Sequence, residues 1–213
     1  ALPLAEIERA LDQLADLQVL SLTLTGGEFF VRPDASDILQ AAQHRGFAIT
    51  LMTNGTRLDE AAVRQLAAQP PLEVHIPLLG LEPVHDRLTR VRGSFRRAVS
   101  AMDRLREAGV RVRAKLILSH ASAADADALE AVARAHADAC TRSADLLPGL
   151  GGEALPADLA LDCDDVRHLC RLPREEAPAR PAPPAAADRP RADRPVCEAG
   201  RSLLAIGPTG AVY

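Results

Sequence analysis

Leu4, Ile7, Leu11 and Leu14 recur at spacings of three and four, with Glu6, Glu8 and Asp12 falling between them. That period gathers the apolar residues on one side of a helix and turns the acids outward, so residues 4–17 are expected to be helical. Residues 19–24 change the rhythm, and their Val- and Leu-rich run reads as a buried strand. The two patterns then alternate. Helices are expected over 36–44, 59–68 and 94–108, the first and last stopped by Gly46 and Gly109, with strands over 47–52, 72–78 and 110–118. In the last of these strands Arg111, Arg113 and Lys115 alternate with Val110, Val112, Ala114 and Leu116, so its two faces meet different surroundings. An alanine-rich helix over 123–139 and a short strand over 143–147 complete the series.

Strand–helix alternation with loops of a few residues requires parallel strands and right-handed crossovers, which is an α/β fold. Polar or glycine positions recur just after each strand, and in a parallel sheet such positions gather on one side. The composition shifts later in the chain. Pro173, Pro178, Pro181, Pro183, Pro184, Pro190 and Pro195 alternate with Ala, Arg, Asp and Glu, a stretch that can neither hold a helix nor bury much apolar surface. Beyond it, residues 203–206, the Pro208-Thr209-Gly210 turn and the residues that follow read as a strand, a tight turn and a second strand. Three regions are therefore expected: an α/β unit over 1–150, a linker over 151–195 that is extended or disordered from 172, and a short β extension over 196–213.

Bulk properties narrow the function classes. A chain of 213 residues, 47% hydrophobic and 25% charged, can bury one sizeable core. A formal net charge of −4 with no dominant basic stripe argues against nucleic acid as a partner. No apolar run approaches the roughly 20 residues of a membrane span. The four cysteines, Cys140, Cys163, Cys170 and Cys197, are sparse and irregular, which points away from a disulfide scaffold and toward a reducing, cytoplasmic setting. Lys115 is the only lysine, and Arg fills every other basic position.

The residues with most chemistry to offer are Gly26, Gly27 and Glu28, at the end of the first strand. Adjacent glycines let the backbone turn and bring bare peptide groups close to a ligand, and a carboxylate beside them can accept from a cationic nitrogen. Alone, such a triplet is also what an ordinary strand-to-loop turn contains. Downstream come Thr53-Asn54-Gly55-Thr56, then Ile76-Pro77-Leu78-Leu79-Gly80, then His85-Asp86 and Gly93-Ser94-Phe95, in that order. This succession resembles the radical S-adenosylmethionine superfamily, especially its peptide-maturing branch with a SPASM-type C-terminal extension. The resemblance covers roughly residues 3–150 and resumes at 196–213.

The resemblance implies a partial (β/α) barrel with its chemistry at the C-terminal ends of the strands. It implies two cofactors: S-adenosyl-L-methionine and a [4Fe-4S] cluster held by a CxxxCxxC triplet. That triplet is not in this sequence. The expectation is a chain that starts just after the cluster loop; the alternative is a relative that never had the cluster. By the same likeness Gly26 and Gly27 approach the methionine end of the cofactor and Glu28 accepts from its amino group. Phe29 stands where the family usually has a proline. Pro77 occupies the position of a ribose-binding serine and has no hydroxyl, leaving Asn54 or Ser119 as substitutes. Leu146 matches an apolar position that packs on adenine. Cys197, followed by twelve residues, Gly210 and three more, fits the start of an auxiliary [4Fe-4S] site, against the plainer reading of a structural thiol. Cys140, Cys163 and Cys170 read as buried or incidental thiols.

His75 is expected to be a core histidine with a local hydrogen bond, and His85-Asp86 a loop-fixing contact. Arg87, Arg90, Arg92, Arg96 and Arg97 read as a solvated face, or as a guide for an acidic leader peptide. The implied activity is reductive cleavage of S-adenosylmethionine to a 5′-deoxyadenosyl radical that modifies a peptide or protein substrate. A flavodoxin or ferredoxin would donate the electron. The rival readings are an ordinary α/β-barrel lyase or isomerase, and a non-catalytic barrel that binds a leader peptide.

Overall fold

The computed structural model describes residues 2–144, 159–169 and 205–212. Leu146, Cys170, Cys197 and the proline-rich stretch lie outside the described residues. In chain order the elements are α1 (Leu4–Asp16), β1 (Ser21–Leu24), α2 (Ala35–His44), β2 (Ala48–Met52), α3 (Glu60–Ala68), β3 (Glu73–Leu78), α4 (Glu82–Thr89), α5 (Ser94–Glu107), β4 (Val112–Ile117), α6 (His120–Ala123), α7 (Ala126–His136), β5 (Ala139–Ser143) and α8 (Cys163–Leu169).

The five strands form one sheet in the order β1-β2-β3-β4-β5, every neighbouring pair parallel. Each crossover thus steps one strand onward in the same direction. A doubly wound sheet would reverse its order at a switch point and cover both faces with helices. Here Ile49, Leu51, Val74, Ile76, Leu78, Val112, Ala114 and Leu116 on one sheet face join Leu39, Ala98, Met102, Leu105 and Leu129 of the helices in a single buried cluster. The opposite face carries Thr50, Met52, Glu73, His75, Pro77, Arg113 and Lys115. That one-sided covering is the geometry of a barrel wall, with a polar inner face.

Pro77 sits inside β3 without breaking the sheet. The β2–β3 register ends at Met52↔His75, so a proline two residues further on has no β2 partner to which an N–H would donate. Gly55 is required for two reasons. Its φ is +75°, and a Cβ there would lie 2.8 Å from the Ala101 Cβ.

The structure differs from the sequence reading after residue 118. The expected helix over 123–139 is two helices, α6 and α7, and the fifth strand is Ala139–Ser143, not 143–147. Alanine's helix propensity conceals the exit, and tertiary bonds decide it. Asp138 accepts from Val112 N–H at 2.8 Å and from Arg106 Nε at 3.2 Å, drawing the chain beside β4. Arg142 then ion-pairs with Glu130 and Asp127 of α7, which fixes the strand. Cys140 consequently lies on β5. At the C-terminal end, Ile206 and Val212 make an antiparallel bridge across a turn closed by Gly210 N–H donating to the Gly207 carbonyl. No helix is long and apolar enough to cross a membrane among the described residues.

Candidate functional site

The ends of β1 and β2 meet through one carboxylate. Glu28 Oε1 accepts from the Thr53 hydroxyl at 2.6 Å and from Phe30 N–H at 3.2 Å, while Oε2 accepts from Asn54 N–H at 2.7 Å. Thr53 is only 3% exposed, and its hydroxyl oxygen also accepts from Gly55 N–H at 3.1 Å. Glu28 therefore cross-links the two loops before any ligand arrives. A carboxylate offers about four lone-pair sites; three are used, so one remains for an incoming donor.

Asn54 is similarly committed on one side. Its Oδ1 accepts from Thr56 N–H at 2.9 Å and from the Thr56 hydroxyl at 2.6 Å. That turn directs the carboxamide nitrogen, a donor, as the group left for a ligand. The glycines complete the site. An ideal Cβ built on Gly26 or on Gly27 meets nothing within 4 Å, and both residues are exposed. A φ of +157° calls for glycine at 26, whereas internal packing gives no reason for one at 27. Bare peptide groups beside a carboxylate with one site to spare suit the cationic nitrogen of an amino-acid head group, and the amide donor suits a second polar group of the same ligand.

Other expected site residues are placed differently. Ser119 is 2% exposed at the start of α6; its N–H donates to Ser122 Oγ at 3.0 Å, and the two hydroxyls lie 3.4 Å apart. Its hydroxyl is part of a capping turn, so of the two ribose substitutes Asn54 is the one whose donor meets no partner among the described residues. Pro77 is half-buried on the inner face.

His85-Asp86 fixes loops, as expected. Asp86 accepts from Phe95 N–H, Gly93 N–H and the Ser94 hydroxyl. The Phe95 N–H foremost, with the other two, holds its carboxyl below the ordinary range. His85 is 4% exposed, and Nδ1 accepts from Leu79 N–H at 3.2 Å. Burial pushes its pKa down against the opposing charge of Asp86, so the ring is neutral near pH 7. Arg87, Arg90, Arg92, Arg96 and Arg97 are all exposed, with Arg96 paired to Glu82 at 2.7 Å. Cys140 is a half-buried thiol whose pKa is pushed up by burial.

Two residues had no assigned role in the sequence reading. Thr53 stood inside a quoted motif, and its signal was a hydroxyl at a strand end beside Asn-Gly. Glu73 is an acid in a buried strand, 8% exposed, two residues from His75 on the same face. Its Oε2 accepts from Arg113 Nε at 2.6 Å and lies 2.7 Å from His75 Nε2, and Arg111 Nε is 3.4 Å from Oε1. Burial pushes the Glu73 carboxyl up, but hydrogen bonds from Arg113 and His75 more than offset this and hold it low. His75 is thus half-buried with a local partner.

Comparison with known proteins gives a consistent picture. A family model described as the Radical SAM superfamily matches residues 1–135. The chain is 28% identical over 224 residues to the mycofactocin maturase MftC of Mycobacterium tuberculosis, covering 95% of this chain and 54% of that protein. It is 33% identical over 103 residues to the PqqA peptide cyclase of Ruegeria pomeroyi, covering 48% of this chain and 28% of that one. Among solved structures, Streptococcus suis SuiB bound to S-adenosylmethionine superposes with a TM-score of 0.67 at 22% identity, over 80% of this chain and 40% of that chain. SuiB bound to its precursor peptide SuiA gives 0.60 at 24% identity, over 67% and 32%. The chain spans about half the length of MftC.

Proposed function

The chain belongs to the radical SAM superfamily, and from that premise we propose that it seats S-adenosylmethionine in an enzyme that modifies a peptide or protein. The observation that carries this reading is the open space at Gly26 and Gly27 beside a carboxylate with one lone-pair site to spare. Gly26 and Gly27 would lie against the methionine portion, Glu28 would take the amino group, and the Asn54 carboxamide would donate to a ribose hydroxyl. Ser119 would act from behind, capping the turn at the end of β4, and Leu146 would pack on adenine. When bound, S-adenosylmethionine with a reduced [4Fe-4S] cluster supplies the 5′-deoxyadenosyl radical of this superfamily. The four cysteines do not have CxxxCxxC spacing, so no residue of this chain is assigned to that cluster. The barrel wall's contribution is to orient the cofactor and exclude water.

A peptide substrate is supported by the relatives named as a mycofactocin maturase and a PqqA peptide cyclase, and by SuiB with its precursor peptide. A cytoplasmic setting with a flavodoxin or ferredoxin donor follows from the same reading. The test is Gly27→Val in the complete protein. Because nothing packs where the side chain would go, unfolding by urea should change by no more than about 0.5 kcal/mol. S-adenosylmethionine affinity by equilibrium dialysis should fall at least tenfold, since the cofactor would meet two methyl groups. Unaltered affinity would remove the glycine pair from the site.

The C-terminal turn supports a SPASM-like extension, and Cys197 is proposed as its first auxiliary-cluster ligand. Thiolate ligation sets cluster retention, so Cys197→Ala should lower iron by up to one cluster per chain. Iron content equal to wild type would make Cys197 a structural thiol.

A further inference from the structure

The inner face of the sheet carries an imbalance of charge. On β3 and β4 it presents Arg113 and Lys115, with Arg111 at the strand's entry, against a single acid, Glu73. Glu73 already faces Arg113, Arg111 and His75. Lys115 is half-buried, lies in register with Pro77 on β3 and Thr141 on β5, and pairs with no carboxylate among the described residues. Neither neighbour relieves it. Pro77 has no polar side chain, and the Thr141 hydroxyl accepts from Arg113 Nη1 at 3.1 Å. A half-buried ammonium without a counter-charge loses solvation and gains nothing in return.

The residue type adds a second argument. Arg fills all of the other 24 Lys and Arg positions, so a lysine at the cation left unpaired among the described residues of this face is the exception in a chain that otherwise uses arginine. An ammonium is a compact charge with three rotatable donors, suited to meeting a carboxylate from any side, whereas a guanidinium needs a matched planar fork. Position matters as well. β4 is two strands from β2, about 10 Å at the usual ~4.8 Å strand spacing, which leaves room for a cofactor between Asn54 and Lys115.

We propose that Lys115 receives a carboxylate of the peptide substrate and so sets which C–H bond lies beside the cofactor; this rests on the peptide-modifying reading above. The carboxylate is a chain terminus or an Asp or Glu side chain. The complete protein, labelled with 13C-lysine, would show the Lys115 ε-methylene signal, assigned by its loss in Lys115→Arg. Three probes separate the sources: the tetrapeptide Ala-Ala-Leu-Ala as free acid, the same peptide as C-terminal amide, and Ala-Glu-Leu-Ala as amide. The expected result is a saturable shift with the free acid or the glutamate peptide, at an affinity at least about tenfold above the plain amide, as one charge-assisted hydrogen bond gives. Which of the two moves the signal identifies the source. The assignment is overturned if no carboxylate probe shifts the signal, if the plain amide matches them, or if S-adenosylmethionine alone produces the same shift. Dialysis of S-adenosylmethionine on the same samples reads the cofactor seat separately. A silent lysine beside normal cofactor binding refutes the role of Lys115 alone, whereas absent cofactor binding refutes the proposed function.

Discussion

Replacing Glu28 by alanine is expected to weaken S-adenosylmethionine binding roughly 10- to 100-fold, the value of one charge-assisted hydrogen bond of about 1.5–3 kcal/mol. The loss has two parts. One is the acceptor that the cofactor's ammonium would use. The other is preorganisation, because the same carboxylate ties the Gly26-Gly27 loop to Thr53 and Asn54 at the end of β2. Without it the Thr53 hydroxyl and Asn54 N–H lose their acceptor, and the glycine loop is no longer held against β2. Glu28→Gln separates the parts. A carboxamide oxygen can still accept from Thr53, but its NH2 cannot accept from Asn54 N–H, so binding should recover only partly. Equilibrium dialysis of the three proteins measures this, with urea unfolding alongside. Affinity unchanged in Glu28→Ala would reduce the triplet to a turn.

Glu73→Ala should be the most damaging change to stability on the inner face. It removes the acid that Arg113 and His75 share and that Arg111 approaches, and leaves the Arg113 guanidinium without that partner in a half-buried setting. Breaking a fully buried pair from one side costs about 3–5 kcal/mol. Arg113 retains 29% side-chain exposure, so about 2–3 kcal/mol is expected. In a chain of this size that is roughly 5–10 °C in melting temperature. The pH dependence follows from the sign of the shift. Glu73 is held below its ordinary 4.5, so its stabilisation is fully present above that value and is lost as the pH falls through the lowered folded-state value. The gap between wild type and variant should therefore narrow as the pH falls below 4.5. A melting temperature within 1–2 °C of wild type at pH 7 would show that the cluster is held by other bonds.

The first four strands and, α4 apart, the helices between them were legible because burial imposes period 2 and period 3.6 on a chain whose core is rich in Leu, Val and Ile. The alternation of Arg111, Arg113 and Lys115 with apolar residues marked the two faces of β4 before either face was known. Legibility failed where alanine took over. Ala137 and Ala139 extend a helical composition past His136, and the strand depends on Asp138 and Arg142 finding partners far along the chain. α4 was missed because a Pro in its first turn and a weak apolar stripe give little periodic signal, although the first turn of a helix tolerates Pro. In the site, the residue types were visible and their wiring was not. Glu28 stood out as an acceptor, but three of its lone-pair sites are taken by Phe30, Thr53 and Asn54, and the last two bonds exist only because β2 approaches β1. Ser119 looked available from its place after a strand, and burial against Ser122 turned it inward.

In the complete protein this chain is proposed to seat S-adenosylmethionine for reductive cleavage. The measurement that meets it most directly is 5′-deoxyadenosine released by the complete protein, reconstituted anaerobically with iron and sulfide and reduced with dithionite. Wild type is predicted to form 5′-deoxyadenosine from S-adenosylmethionine, and Gly27→Val, equal in iron content, to form at least tenfold less at subsaturating cofactor. Equal yields from the two proteins, or none from wild type with its clusters intact, would contradict it.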